Sequence, residues 1–181
     1  MRIVGGTLRG KTLLTPQTQN VRPTSDRLRE TIFNILAHNP QMDRILDSTT
    51  HVLDTFAGSG ALGLEALSRG CGQSTFVDLE TSLVTQNVTN CGMKDRSHIL
   101  RGDASTLPLQ GPFQLVFLDP PYGQGLIEKT IENLMHHQAV ADGAILVLEY
   151  HKEESITLTS ELVFLTDRSV SISKVGFYKK N

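Results

Sequence analysis

His51-Val52-Leu53-Asp54-Thr55-Phe56-Ala57-Gly58-Ser59-Gly60-Ala61-Leu62-Gly63-Leu64 is the stretch whose reading decides the fold. A short apolar run closes on an acid, small residues follow through Gly60, and Ala61, Leu62, Leu64 and Leu67 then recur as on a helix. Small residues let the backbone turn tightly and pass close to a ligand, while the helix start beyond them offers an amide-rich rim. The turn lacks the Gly-Lys-Ser/Thr ending of a P-loop and is an imperfect dinucleotide fingerprint. Asp54 makes the difference. A carboxylate ahead of the glycines repels a pyrophosphate, but it can balance the ammonium and sulfonium of a ligand such as S-adenosylmethionine.

Downstream of that turn, apolar strands alternate with helical stretches, the pattern of crossovers covering a mostly parallel sheet. After the strand 52–57, a helix is predicted over 60–69, a strand over 74–78, a helix over 83–91 and a strand over 98–102. A strand over 113–118, a helix over 126–137 and a strand over 144–149 follow. Segments 161–165 and 171–178 are strand-like with only a turn between them, which predicts an antiparallel C-terminal hairpin at the sheet edge. Upstream, 2–14 reads as two extended pieces turning through Gly5–Gly6 or Leu8–Gly10. A helix follows, capped by Thr24 or Ser25, with Leu28, Ile32, Ile35 and Leu36 on one face. It ends before Pro40, and 40–50 reads as a polar linker. The expectation is one α/β domain over 1–181, with 1–40 a hairpin-plus-helix extension packed on it.

Composition sets the bounds. At 181 residues, 39% hydrophobic and 20% charged, the chain matches a folded globular protein. Its formal charge of -2 gives no whole-chain sign of a polyanion partner. The distribution does, because residues 1–40 hold Arg2, Arg9, Lys11, Arg22, Arg27 and Arg29 against only Asp26 and Glu30. Cys71 and Cys91 lack metal-ligand spacing and a disulfide pattern, which fits a reducing compartment. The amino terminus has no apolar run of signal-peptide length and no segment is long enough to span a membrane, so the expected location is the cytoplasm. His136 and His137 fall at a predicted helix end, and His98 and His151 form no metal pattern. Glu149, at the end of the fifth predicted strand, could line the pocket but reads more readily as a solvated acid at a strand boundary. No metal is expected.

Candidate ligand contacts lie at successive strand ends. Phe56, Ala57, Gly58 and Gly60 form the turn beside Asp54. Asp78, 24 residues after Asp54, suits the two ribose hydroxyls of a nucleoside, and Glu80 competes for that role. Asp103, with Ala104 beside it, could accept an adenine amino group. Asp119-Pro120-Pro121-Tyr122 follows the apolar strand PFQLVFL and is the sharpest signal in the chain. Consecutive prolines fix an extended path and donate no backbone hydrogen bonds, which leaves carbonyls to accept from a substrate amine. Asp119 adds an anionic acceptor, and Tyr122 a ring on which a flipped base can stack. The pocket chemistry alone admits guanine N2, adenine N6 or cytosine N4.

The chain resembles the bacterial 16S ribosomal RNA guanine-N2 methyltransferases that modify guanine-966, the RsmD family. The resemblance runs from Arg2-Ile3-Val4-Gly5-Gly6 and Arg22-Pro23-Thr24-Ser25-Asp26-Arg27-Leu28-Arg29-Glu30, through the Asp54–Gly60 turn, to Asp119–Tyr122. It implies a class I S-adenosylmethionine-dependent methyltransferase with a Rossmann-like seven-stranded sheet. It also implies S-adenosylmethionine as methyl donor and 16S ribosomal RNA in the 30S subunit, or a late assembly intermediate, as substrate. Asp119 through Tyr122 would hold the target base, Asp54, Asp78 and Asp103 the donor, and Arg22, Arg27 and Arg29 the RNA. No obligate protein partner is implied. Tyr122 stands where relatives often carry phenylalanine. DNA adenine-N6 methyltransferases share the Asp-Pro-Pro-Tyr string, and a non-catalytic RNA-binding assembly protein is a second alternative. The length leaves no evident room for a DNA-recognition domain.

Overall fold

Among the residues described by the computed structural model, 1–16 and 25–181, seven strands form a single sheet. They are β1 (His51–Asp54), β2 (Gln73–Asp78), β3 (Ser97–Arg101), β4 (Phe113–Leu118), β5 (Val140–His151), β6 (Leu162–Val170) and β7 (Ser173–Lys180). Their order is β3-β2-β1-β4-β5-β7-β6. The first five pair in parallel, and β7 inserts antiparallel between β5 and β6. The predicted C-terminal hairpin is therefore present, with β6 at the edge.

Helices cover both faces, so the central strands read as unbroken apolar runs. On one face Leu53, Val116 and Leu118 pack with Ile127, Ile131 and Leu134 of α4 (Leu126–His136). On the other, Val52, Leu115 and Phe117 meet α1 (Asp26–His38) and α2 (Ala61–Ser68). The alternation along β4 is the two-residue period of a strand. Each of these side chains is almost fully buried, and such burial contributes roughly 2 kcal/mol apiece. The Ser25 hydroxyl caps α1 by accepting the Leu28 amide hydrogen at 3.2 Å.

Two expectations are corrected. Segment 40–50 is more than a polar linker, because Met42 and Ile45 are buried in the cluster beneath α1. β5 is longer than 144–149: it starts at Val140, where a register shift against β4 between Phe113 and Leu115 absorbs the polar Ala141-Asp142-Gly143 segment. The N-terminal pieces do approach as a hairpin, joined by a bridge between Arg2 and Thr12 and by the Ile3–Lys11 and Leu13–Met1 backbone bonds. Gly6 serves two needs there. Its φ is +73°, and a Cβ would lie 1.9 Å from the Ser68 carbonyl oxygen of α2. Among the described residues no helix is long and apolar enough to cross a membrane.

Candidate active site

The chain leaves β1 toward β2 and β3 on one side and later returns to place β4 on the other. Sheets of this kind open a crevice where the strand order reverses. Here it lies over the ends of β1 and β4, and Thr55 ties the two together, its amide and hydroxyl both donating to the Phe117 carbonyl at 3.1 and 2.8 Å. A cavity of about 1150 Å³ occupies the crevice. Asp54, Asp78, Asp103, Asp119 and Glu149 all contribute to its wall.

The glycine turn is held by acids. Asp54, 2% exposed, accepts the Gly63 amide hydrogen at 3.0 Å in the first turn of α2. Burial pushes its carboxyl up to about 7, against the lowering effect of that bond and with nearby Asp78 adding to the rise. Asp78 accepts the Gly58 amide hydrogen at 2.7 Å through one oxygen and the Glu80 amide hydrogen at 2.9 Å through the other. Gly58, at φ +53°, has open space where a Cβ would point. Phe56 is half-buried, and the Ala57 amide donates to the Val77 carbonyl at 3.0 Å, so the turn is stitched to β2 as well. Glu80 is exposed and pairs with Arg101 at 2.7 Å. Asp78 and Glu80 both line the cavity, Asp78 tied to the glycine turn and Glu80 paired with Arg101.

Asp103 follows β3 and accepts from both the amide and the hydroxyl of Ser105, bonds that hold its carboxyl below the usual carboxylate range. Asn133 of α4 pins this loop, donating to the carbonyls of buried Ala104 at 3.0 Å and Leu107 at 2.8 Å. Nothing in the sequence pattern marks Asn133 for that role.

On the other side of the crevice stands the turn after β4. Asp119 is half-buried, Pro120 buried, Pro121 exposed, and Tyr122 36% exposed. The Tyr122 hydroxyl donates to Glu149 Oε1 at 3.1 Å and lies 2.8 Å from Ser173 Oγ, while its ring meets His151 edge-on at 5.8 Å. Burial, together with the charges of Glu149 and Asp119, pushes the phenol up to about 12 despite the Ser173 bond. Glu149 is thus no strand-boundary acid: it sits 7% exposed inside β5. Tyr122 lies 27 residues from Glu149 and 51 from Ser173 in the chain, beyond the reach of any local pattern.

The N-terminal segment completes the wall, with Met1, Leu14, Thr15 and Pro16 facing the same cavity. Asn87 of α3 (Ser82–Asn90) accepts the Leu14 amide hydrogen at 2.8 Å and donates to the carbonyls of Leu14 and Ser59 at 3.0 and 2.8 Å. Of the arginines expected on the RNA face, Arg27 is exposed and Arg22 lies outside the described residues. Arg29 is corrected: its side chain is fully buried and bridges Asp26 Oδ1 and the Arg2 carbonyl, each at 2.6 Å. A cation so enclosed joins α1 to the N-terminal segment and does not meet a polyanion. Among the described residues no cluster of three or more His, Cys, Asp or Glu side chains is arranged to hold a metal ion.

A sheet of this order, with a glycine turn after β1 and acids at successive strand ends over one cavity, is the class I methyltransferase fold. The family described as Conserved hypothetical protein 95 matches residues 1–179. The chain belongs to it, the RsmD family. It is 39% identical over 160 residues to Ribosomal RNA small subunit methyltransferase D of Escherichia coli (strain K12), covering 86% of this chain and 77% of that protein. The protein of the same name in Haemophilus influenzae is 32% identical over 187 residues, covering 99% and 93%. The solved structure of yhhF from Escherichia coli superposes with a TM-score of 0.86 at 32% identity, covering 99% and 97%. In fold alone the chain is also similar to the N-methyltransferase NodS from Bradyrhizobium japonicum WM9, solved with S-adenosyl-L-homocysteine (TM-score 0.59, 14% identity, 80% and 90% covered).

Proposed function

We propose that the protein transfers a methyl group from S-adenosylmethionine to the exocyclic N2 of a guanine in 16S ribosomal RNA, guanine-966 by family resemblance, within the 30S subunit or a late assembly intermediate. The observation that carries the reading is one cavity lined both by the strand-end acids Asp54, Asp78 and Asp103 and by the Asp119–Tyr122 turn. A donor site and an amine-accepting site thus share a wall. In this reading residues 1–40 belong to a single methyltransferase domain, as the hydrogen bonds that the Val4, Leu8 and Leu14 amides donate to Glu65 and Ser68 of α2 and Asn87 of α3 support. The enzyme acts in the cytoplasm, where assembling subunits are found.

The residues present fit the donor. Open space at Gly58 admits a ligand against the backbone, Asp78 suits paired hydroxyls, Asp103 an amino group, and the buried carboxyl of Asp54 a cation. When bound, S-adenosylmethionine supplies an electrophilic methyl on a positively charged sulfur. Asp119 and the Pro120 carbonyl accept the N–H groups of the target amine, which orients its lone pair and stabilises the positive charge that grows on nitrogen. Tyr122 offers its ring to the flipped base, a contact worth roughly 1–3 kcal/mol. Asp119 or water takes the departing proton.

The experiment is a competition for labelled S-adenosylmethionine among undermethylated 30S subunits, naked 16S RNA and duplex DNA, followed by nucleoside mass spectrometry. N2-methylguanine formed chiefly on subunits is the expected result. N6-methyladenine on DNA would overturn it in favour of the DNA enzyme, and binding without transfer would leave an assembly protein. Asp119→Ala is expected to slow single-turnover transfer by about 10²-fold or more while donor affinity, read by calorimetry, holds.

A further inference from the structure

The floor beneath Tyr122 is made by the register of β5 against β7. Glu149 opposes Val175 and His151 opposes Ser173, so strand alternation brings Glu149, His151 and Ser173 to one face of the sheet. Glu149 and Ser173 are 7% and 6% exposed, and both line the cavity shared with Asp119 and Pro120. The Tyr122 hydroxyl touches both. A phenol has one proton, so with that proton on Glu149 the Ser173 hydroxyl donates to the phenol oxygen. This chain of two hydrogen bonds fixes the carboxylate beside the amine-accepting turn.

Packing does not require an acid here. The preceding residues of β5, Ala144-Ile145-Leu146-Val147-Leu148, are all apolar and buried, and a buried carboxylate costs far more to desolvate than the leucine or valine that would fill the same strand. An acid kept at such a position, on a cavity wall and held by the Tyr122 hydroxyl, which Ser173 in turn engages, has the features of a group placed for a ligand.

Resting on the guanine-N2 reading above, we infer that Glu149 selects the target base: its carboxylate accepts the guanine N1–H while Asp119 and the Pro120 carbonyl accept the N2 amino protons. Among bases with an exocyclic amine, guanine alone sets a ring N–H donor beside that amine. Adenine N1 and cytosine N3, next to their amines, are lone-pair acceptors. Neighbouring acceptors on the protein therefore match guanine and repel the other two. Tyr122, through its hydroxyl, and Ser173 are positioning residues for this carboxylate. Sites built to hydrogen-bond a substrate N–H discriminate far more strongly against analogues that lack it than hydrophobic pockets do against shape.

The test uses the full-length protein and reconstituted subunits whose 16S RNA carries either guanine or 2-aminopurine at the target nucleotide. 2-Aminopurine keeps the N2 amine but presents N1 as an acceptor. Wild-type enzyme is expected to favour guanine by about 10²-fold or more in single-turnover rate. Glu149→Gln, whose amide can donate to an acceptor N1, is expected to lose about 10²-fold on guanine and to bring the ratio of the two bases within about tenfold, with donor affinity unchanged. Equal transfer to both bases by the wild type, or full discrimination by Glu149→Gln, overturns the inference. Should that variant fail to fold, Tyr122→Phe, which keeps the ring and removes the proton held by Glu149, must narrow the ratio, and an unchanged ratio overturns the inference. Failure of the underlying reading looks different, since the wild type then leaves no label on guanine N2 at all.

Discussion

Asp54 Oδ2 accepts the Gly63 amide hydrogen at 3.0 Å, so the acid that ends β1 also receives the first turn of the helix behind the glycines. Because burial lifts this carboxyl from its ordinary 3.8 to about 7, the folded chain binds more protons than the unfolded one between those values. Its contribution to stability therefore falls as pH rises from about 4 to about 7 and is level above that. Asp54→Asn keeps an oxygen for the Gly63 amide and removes the ionisation. Urea unfolding across a pH series should show the wild-type slope flattened and the variant more stable than wild type at pH 8. A cation bound beside Asp54 favours the ionised form, so donor affinity should rise about tenfold between pH 6 and 8, with proton release seen by calorimetry in two buffers. Affinity independent of pH would remove Asp54 from contact with the donor's charge.

The acids after β2 should separate cleanly. Asp78 holds Gly58 and Glu80 through their amides, whereas the Glu80 side chain pairs with exposed Arg101. Asp78→Ala frees the turn and deletes the proposed hydroxyl acceptor, with an expected loss of donor affinity of about 30-fold or more. Glu80→Ala removes a surface ion pair worth about 0–1 kcal/mol and should leave donor affinity within about twofold. Calorimetric titration of both variants checks the contrast, and a larger effect at Glu80 would reverse the assignment.

How much of this was legible in the sequence follows from the range of each interaction. β4 is found where its apolar run places it, and the glycine turn, strand-end acids and Asp-Pro-Pro-Tyr string are local patterns whose meaning survives folding. For Glu149 the sequence leaves pocket lining as the lesser of two readings, because its environment is set by Tyr122 and Ser173, brought near it by the turn after β4 and by β7. Met42 and Ile45 do not stand out in a polar-looking segment because three apolar residues in eleven, Met42, Ile45 and Leu46, are too few to establish a period. Arg29 left one usable trace, its i,i+3 spacing from Asp26. Its burial depends on the Arg2 carbonyl, 27 residues earlier, which no window on the helix contains.

Asn87 connects the N-terminal segment to the donor turn. It is fully buried and satisfies the amide and carbonyl of Leu14 and the carbonyl of Ser59. Asn87→Ala strands these backbone groups, at an expected cost of about 2–4 kcal/mol in unfolding free energy. Because Ser59 lies in the glycine turn and Thr15 and Pro16 line the cavity, donor affinity should also fall. Protection of the Leu14 amide in hydrogen exchange should drop in the variant, and unchanged protection would show that this segment is held by other contacts.

The two arginines of α1 at positions 27 and 29 make opposite predictions. Arg27 is exposed on the N-terminal basic segment, so Arg27→Ala should weaken RNA binding nearly uniformly, reduce the slope of log affinity against log salt by about one, and change stability by less than about 0.5 kcal/mol. Arg29→Ala should do the reverse. Its guanidinium is fully buried against Asp26 and the Arg2 carbonyl, and removing it leaves both acceptors without that donor. Breaking a wholly buried pair costs about 3–5 kcal/mol, but Asp26 keeps 40% of its side chain in solvent, so about 2–3 kcal/mol is the expected loss. The salt slope should hold, measured below the unfolding range of the variant, because a cation enclosed by protein releases no counterions from RNA. Filter binding across salt concentrations, paired with urea unfolding, tests both residues at once. A lowered slope in Arg29→Ala at full stability would place that guanidinium on the RNA after all.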